Sequence, residues 1–391
     1  MSQPKGARRY FLEPTFSDQT HGLTMFKACY LHIGMEKTGS TTIQSTMVAN
    51  RKRLLNSGYF YSWAMGRENH VNLVVYARDD DTSDNQRKHA LARTGQDMAA
   101  FRTALEARFA TEAQKHAGKV LLLSNEHLQS RLTNLGEKQR LHGLLSARSE
   151  TPVQIYLYLR RQDLAATSLY GTRLLSGTPL DFGEVLPQLD PQEPLPYFYD
   201  YLRMWREWCQ VFGRMNVHVR VFEPDVLLTN DVVSDFLDWL GLDGRADFIR
   251  PAWQNESISE AAQYYLTRMN RLNPTFNGSV PNPLRGQVNQ RVIRTCKGRG
   301  LKPDRASAET FYARFREDNA HLFKEARLEQ DNFTETFDQF EITPDAPTVA
   351  PQNLANVAVA VYQDAVAELN ATRAELKAAQ AEIDALKTRL G

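Results

Sequence analysis

The chain has 391 residues, 42% hydrophobic and 24% charged, so it can bury a sizeable core and is too long for one minimal domain. Its formal net charge of +1 excludes a global field that would attract nucleic acid or a membrane surface, so any anion site must be local. The three cysteines, Cys29, Cys209 and Cys296, lack metal-type spacing and indicate neither a zinc site nor a disulfide framework.

The first 24 residues show neither hydrophobic periodicity nor an apolar targeting core, and we predict a flexible N-terminal extension over residues 1–24. No run in the sequence approaches the ~18 apolar residues that a membrane-spanning helix requires. Few, scattered cysteines are typical of a reducing compartment. The expected location is therefore the cytoplasm, with a peripheral position at a membrane left open.

Four apolar or alternating runs predict β-strands, at residues 26–33, 119–124, 153–159 and 217–221. Helical patterns lie between them, among them residues 42–55 and 199–212, and Asn230 is expected to cap a further helix. Strands alternating with helices favour a parallel sheet. The sequence thus predicts an α/β fold of the P-loop-like three-layer kind, a central parallel sheet flanked by helices, over residues 25–340.

The C-terminal part of the sequence changes character twice. Residues 341–356 contain three prolines and few charges, which predicts an extended linker. Residues 357–391 carry a heptad pattern, whose a and d positions are Tyr362, Ala365, Leu369, Thr372, Leu376, Ala379, Ile383, Leu386 and Leu390. This pattern predicts a short coiled coil and self-association into a homo-oligomer, and a lone surface helix is the alternative.

A glycine-containing loop follows the first predicted strand. Residues 34–41, GMEKTGST, keep the G-x-x-x-x-G frame and final hydroxyl of a Walker A loop, but the usual lysine after the second glycine is Ser40. The one ammonium in the loop is Lys37. Backbone N–H groups and the start of the next helix would attract an anion, and Ser40, Thr41 and Thr42 could add hydroxyl donors. The pattern suits a two-unit phosphosulfate better than a triphosphate.

The stretch HIGMEKTGSTTIQ resembles the 5′-phosphosulfate loop of sulfotransferases, especially the bacterial type that acts on carbohydrates. The resemblance implies the donor 3′-phosphoadenosine 5′-phosphosulfate as co-substrate. The donor's 5′-phosphosulfate would be held by residues of the loop and of the helix start: Lys37, Thr38, Gly39, Ser40, Thr41 and Thr42.

In that superfamily an arginine at a strand end and a serine eight residues later hold the 3′-phosphate of the donor, and this chain has Arg160 and Ser168. Arg161 would assist or point away. A basic loop that completes such sites has an approximate counterpart in Lys297, Gly298 and Arg299. This loop belongs to a run that contains five basic residues and no acidic one: Arg291, Arg294, Lys297, Arg299 and Lys302. The run would suit an anionic nucleotide or glycan, and a solvated surface loop is the alternative.

Sulfuryl transfer needs a cation and a base for the acceptor hydroxyl, and Lys37 would supply the cation. No metal is expected. The strand at residues 119–124 runs into Glu126 and His127, where the resemblance implies the base: Glu126 is the first candidate and His127 the reserve. The alternative is a purely structural role, in which Glu126 caps a helix or pairs with an arginine such as Arg160. Ser124 and His70 are predicted to contact substrate.

The sequence therefore predicts transfer of a sulfuryl group from the nucleotide donor to a hydroxyl acceptor, with a carbohydrate or glycolipid as the expected acceptor. One alternative is a P-loop nucleotide kinase, which would need magnesium and a lysine at position 40. Another is a non-catalytic scaffold of glycan synthesis that uses the coiled coil to recruit a partner.

Overall fold

The computed structural model describes residues 25–82, 85–242, 248–251, 257–277, 280–342 and 349–390. The predicted N-terminal extension, residues 1–24, lies outside the described residues. So do positions 343–348 of the predicted linker and the last residue, 391.

A parallel sheet of five strands forms the centre of the protein, in the order β2-β3-β1-β4-β5. The strands are β1 Ala28–Gly34, β2 Tyr59–Tyr61, β3 Val120–Ser124, β4 Gln154–Leu159 and β5 Val217–Val221. The four predicted strands all occur, and the three-layer α/β prediction is confirmed. The sequence analysis missed β2, a three-residue edge strand that pairs with β3 and is too short for a period-two pattern.

Helices cover both faces of the sheet, as crossover connections between parallel strands require. In chain order they are α1 Ser40–Ala49, α2 Arg51–Asn56, α3 Val71–Ala77, α4 Asn85–Thr94, α5 Met98–Lys115, α6 His127–Arg131, α7 Leu135–Ser146, α8 Gln162–Leu175, α9 Tyr201–Phe212, α10 Val232–Trp239, α11 Glu260–Leu272, α12 Pro283–Thr295, α13 Arg305–Ala313, α14 Arg316–Ala326 and α15 Pro351–Leu390. A small hairpin, β6 Phe276–Asn277 with β7 Val280–Pro281, precedes α12.

Two apolar cores lie on opposite faces of the sheet, and β4 shows how the sequence divides between them. Ile155, Leu157 and Leu159 join one core, whereas Tyr156 and Tyr158 join the other. Because successive side chains of a strand point to opposite faces, every residue of this run is buried. Burying one such large apolar side chain stabilises the fold by about 1.5–3 kcal/mol.

Two helix predictions need correction. The helix predicted over residues 42–55 is interrupted at Asn50, whose side chain donates to the carbonyl of Thr46 and exchanges two hydrogen bonds with the backbone of Ile249. The cap of α10 is Asp231, whose carboxylate accepts from the backbone N–H of Ser234 at 2.8 Å. Asn230 instead ends a short 3-10 turn. Both corrections involve side-chain hydrogen bonds to the backbone, which hydrophobic periodicity does not report.

The last helix, α15, begins at Pro351, inside the segment predicted as an extended linker. Proline suits the first turn of a helix because the N–H that it lacks would be unpaired there. The first part of α15 packs on α11 and α12, where Val357 is buried, and Asp364 forms ion pairs with Arg291 and Arg294. From residue 367 to residue 387 the helix is exposed.

Strand β1 lies between β3 and β4, so the connections leaving β1 and β4 run to opposite sides of the sheet. Ligands of open α/β sheets bind in the crevice at such a switch point, beyond the carboxyl ends of the strands. The residues after β1, β3 and β4 meet at this edge, and they include the glycine loop, Glu126 and Arg160.

Candidate functional site

The glycine loop connects the central strand β1 to α1 and is in close contact with the end of β3. Gly34 has a φ of 79°, and a Cβ atom at this position would lie 2.6 Å from the Cβ of Glu126. Gly39 also has a φ of 79°, and its Cβ would lie 2.7 Å from a methyl group of Val232. Only glycine fits these two positions without displacing a neighbour. The loop and Glu126 are thereby held against each other.

Hydroxyl groups inside the loop bond to the loop itself. Thr38 Oγ1 donates to the carbonyl of Met35 at 2.7 Å, and Ser40 Oγ donates to the same carbonyl at 3.3 Å. Both residues are buried, whereas Thr41 is exposed and Thr42 is half-buried. Ser40 was predicted to direct its hydroxyl at an anion, but here it stabilises the turn.

Lys37 occupies the apex of the loop with a left-handed φ of 70°. Arg160, at the end of β4, donates from Nη1 to the Lys37 carbonyl at 2.9 Å. The Lys37 ammonium donates to Thr172 Oγ1 on α8 at 3.2 Å. Burial and the nearby Arg160 charge lower the pKa of Lys37. Two cations are therefore held together at the end of the central strands.

A cavity of about 530 Å³ opens beside these cations, a size typical of ligand pockets. Its walls combine the glycine loop, the end of β4, one face of α8 and the segment around residue 300. Among the described residues, four cationic side chains line it and no aspartate or glutamate does: Lys37, Arg160, Arg299 and Lys302. Such a cavity favours an anionic ligand, because positive charges that lie near one another repel and a bound anion offsets this repulsion.

Ser168 also lines this cavity, as do Thr172 and Gly171 from the same face of α8. The structure therefore brings Arg160 and Ser168 to one wall, as the eight-residue spacing predicts for a strand end and the second turn of the next helix. Arg161 points away. It is fully buried, bonded to both carboxylate oxygens of Asp163 and stacked 4.1 Å from the centre of the Phe337 ring.

The predicted basic run divides into two parts. Arg299 and Lys302 line the cavity, but Lys297 lies on a different depression, beside the start of α15. Gly298 donates its N–H to the carbonyl of Ser257 and shapes the turn. Arg291 and Arg294 pair with acidic residues of α15. The cavity thus receives only the C-terminal part of the run.

Glu126 follows β3 directly and is partly accessible, with 15% of its side chain exposed. Its Oε2 accepts a 2.7 Å hydrogen bond from the amide of Gln44 on α1. Glu126 occupies the N-cap position of α6, but its side chain makes no capping hydrogen bond. The carboxylate is therefore oriented by Gln44, which leaves Oε1 on the side of His127.

His127 lies between two carboxylates. Its Nδ1 is 3.2 Å from Glu36 Oε1, and its Nε2 is 3.8 Å from Glu126 Oε1. Ser130 donates to the same oxygen of Glu36 at 2.7 Å. Burial lowers the pKa of His127, but the hydrogen bond to Glu36 and the two carboxylate charges outweigh it, so the pKa is raised. The imidazolium form is favoured.

We expect Glu36→Gln to lower the pKa of His127, because the substitution removes an anion that favours the imidazolium while burial remains. The titration midpoint of the His127 ring protons, followed by nuclear magnetic resonance, should move to lower pH. A His127→Asn variant assigns the resonance. Ser130→Ala, which leaves the charge of Glu36 in place, is the matched control and should shift the midpoint much less.

His70 and Ser124, predicted to contact substrate, are buried away from the cavity. His70 accepts from the backbone N–H of Ser124 through Nδ1 and donates through Nε2 to the carbonyl of Ser62. Burial lowers its pKa to about 3, so the ring is neutral. The Ser124 hydroxyl bonds to Gln44 and His32. Both residues stabilise the end of β3, and neither has exposed surface through which it could contact a substrate.

Three residues at this edge were missed by the sequence analysis: Glu36, Gln44 and Thr172. Thr172 lies four residues after Ser168, and this i, i+4 spacing on one helix could have suggested it. Glu36 is adjacent to Lys37 in the loop. Nothing in the sequence pattern distinguishes Gln44, since its contact with Glu126 depends on how α1 packs against β3.

Comparison with solved structures found a likeness in fold. No protein-family model matches the sequence, and no curated protein is significantly similar to it. The fold is similar to the crystal structure of a sulfotransferase from Alicyclobacillus acidocaldarius, with 15% sequence identity, over 77% of this chain and 96% of that one. The TM-score is 0.38. A likeness of this degree supports no assignment of function.

The described residues contain neither a cluster of metal-binding side chains nor a helix that could span a membrane. No group of three or more histidines, cysteines, aspartates or glutamates lies close enough together to bind a metal ion within this part of the chain. Among its helices, none has the length and apolarity that crossing a membrane would take.

Proposed function

We propose that the protein is a sulfotransferase that moves a sulfuryl group from 3′-phosphoadenosine 5′-phosphosulfate to a hydroxyl group, with a carbohydrate or glycolipid as acceptor. One observation carries the proposal: within the part of the chain that the structure describes, the cavity at the switch point is lined by four cations and no acidic residue, and Lys37 of the glycine loop is one of the cations. A donor with a phosphosulfate at one end and a phosphate at the other needs separated cations.

The cavity suits the two anionic ends of this donor. Lys37 would face the phosphosulfate, together with backbone N–H groups of the loop. Arg160, Ser168 and Arg299 would hold the 3′-phosphate, since arginine and hydroxyl groups are suitable donors to phosphate oxygens. In this reaction the sulfur–oxygen bond to the donor breaks, a sulfur–oxygen bond to the acceptor forms, and the acceptor hydroxyl loses its proton.

Glu126 is the proposed base for that proton. Its carboxylate is partly accessible, contacts the loop that carries Lys37 and has one oxygen held by Gln44. His127 is the weaker candidate because its raised pKa favours the form that already carries a proton.

The test is a titration of the purified protein with adenosine 3′,5′-bisphosphate, the product nucleotide, and separately with ATP and magnesium. The proposal expects the bisphosphate to bind more tightly, because Lys37 stands at the loop apex and Ser40 replaces the lysine of a triphosphate loop. Tighter binding of ATP would favour the kinase. Binding of neither nucleotide would favour the scaffold, and both outcomes contradict the proposal.

Gln44 should act as a positioning residue for Glu126. We expect Gln44→Leu to lower kcat about tenfold to a hundredfold, because a base displaced by about 1 Å loses alignment with the hydroxyl. The affinity for adenosine 3′,5′-bisphosphate should stay near that of the wild type, since Gln44 is outside the cation-lined cavity. Parallel measurements of kcat and nucleotide affinity check this, and a loss of affinity alone would contradict the role.

The matched control is Gln129→Leu, which removes a buried amide of the same size on the neighbouring helix α6. Gln129 is fully buried, and its amide lies 3.5 Å from the carbonyl of Phe198 rather than beside Glu126. A similar fall in kcat for both variants would indicate a general loss of packing.

A further inference from the structure

Helix α15 has an apolar face that the other described residues of the chain do not cover. The helix has 40 residues and is therefore about 60 Å long. Only its first half contacts α11 and α12, and residues 367–387 are exposed. The apolar heptad residues Tyr362, Leu369, Leu376, Ile383 and Leu386 remain between 46% and 69% exposed.

The covered and uncovered sides of α15 follow the heptad pattern. With Tyr362 at position a, the residues that pack on the protein body occupy positions c, f and g: Val357, Ala360, Val361, Asp364 and Glu368. The a residues lie on another side of the helix. Docking on the body therefore leaves the seam of a coiled coil available along the whole exposed length.

The charges beside this seam distinguish a parallel from an antiparallel partner. Position g carries Glu375 and Glu382, and position e carries Arg373 and Lys387. In a parallel pair of identical helices, each g residue faces the e residue five positions later in the partner. In an antiparallel pair, g faces g and e faces e, so glutamates would oppose glutamates.

We propose that α15 binds a second copy of this chain as a parallel, in-register coiled coil. Glu382 then faces Lys387 of the second copy. Three of the four d positions hold Ala365, Thr372 and Ala379, which bury little apolar surface, so the dimer dissociates reversibly on dilution. The two protein bodies lie at the same end of the coil.

Sedimentation equilibrium of the full chain over a wide concentration range tests the partner. The expected mass rises from that of the 44.6 kDa chain toward twice that value. Glu382→Lys should raise the dissociation constant about tenfold, because two attractive pairs become repulsive. The double variant with Glu382→Lys and Lys387→Glu should restore the wild-type constant. A monomer at every concentration, or no rescue by the double variant, overturns the proposal.

Lys377→Glu is the matched control, since it makes the same charge change as Lys387→Glu at position b, away from the seam. It should leave the dissociation constant unchanged, while Lys387→Glu alone should raise it. An equal effect of both variants means that net charge governs association, and it also overturns the proposal. All of these substitutions lie in the exposed part of α15, so thermal unfolding of the body should not change.

Oxidative cross-linking tests the orientation. Ile383→Cys places a thiol at position a, where a parallel in-register pair would form an intermolecular disulfide. In an antiparallel pair a residue at position a packs against position d of the partner, so Ile383 would not face its own counterpart. The wild type is the control, because Cys29 and Cys296 are buried and Cys209 is half-buried. Absence of the cross-link in a dimeric sample overturns the parallel arrangement.

Discussion

Replacing Arg160 by alanine is expected to weaken the binding of adenosine 3′,5′-bisphosphate by about tenfold to a hundredfold. A hydrogen bond to a charged group contributes about 1.5–3 kcal/mol, and each 1.4 kcal/mol corresponds to a factor of ten. Arg160 lines the cavity and also donates to the Lys37 carbonyl, so its loss removes a cation and a support of the loop. Isothermal titration measures the change.

The controls separate these two effects. Arg160→Lys retains a charge but loses the planar donor group, and it should bind the nucleotide with intermediate affinity. Arg108→Ala removes an exposed arginine that donates to the carbonyl of Ala104 in its own helix, and it should bind like the wild type. Lys37→Ala is expected to weaken binding as well. Unchanged affinity in both Arg160→Ala and Lys37→Ala would rule out this cavity as the nucleotide site.

Glu126→Gln should reduce turnover by about a hundredfold to ten-thousandfold, the range that a positioned general base contributes. The glutamine side chain has the same shape and keeps an oxygen for the Gln44 amide, but it cannot take up a proton at neutral pH. Nucleotide affinity should stay near the wild-type value. Transfer of a labelled sulfuryl group to a hydroxyl acceptor, measured at saturating donor, checks the prediction.

His127→Asn is the companion variant for the base. If turnover of Glu126→Gln is unchanged and that of His127→Asn collapses, His127 is the base and the proposed role of Glu126 is wrong. His70→Asn is no test of the same role, because His70 is buried with both ring nitrogens hydrogen-bonded. That substitution would report on the stability of the end of β3.

The architecture could be predicted from the sequence because buried parallel strands are continuous apolar runs. The strand predicted at residues 217–221 coincides with β5, and the others differ by one or two residues at their ends. The proximity of Arg160, Ser168 and Lys37 could also be predicted, since strand carboxyl ends meet at one edge. These inferences depend on local patterns and on general rules of sheet topology.

Side-chain contacts across the sheet edge could not be predicted in the same way. Gln44 reaches Glu126 because α1 packs against the end of β3, and Glu36 reaches His127 because the loop bends toward α6. Lys297 and Arg299 are two residues apart, and both line the depression beside the start of α15, but only Arg299 also reaches the cation-lined cavity. Such choices are set by tertiary packing, which residue type and spacing do not determine.

The contact between Gly34 and Glu126 has a consequence for substrate range. A Cβ at position 34 would lie 2.8 Å from the Cα of Glu126, so main-chain atoms set the spacing between the loop and the carboxylate. Main-chain spacing does not change when side chains adopt new rotamers. If the proposed sulfuryl transfer takes place here, engineering for new acceptors should therefore reshape the outer walls of the crevice, because main-chain atoms fix the distance between the glycine loop and Glu126.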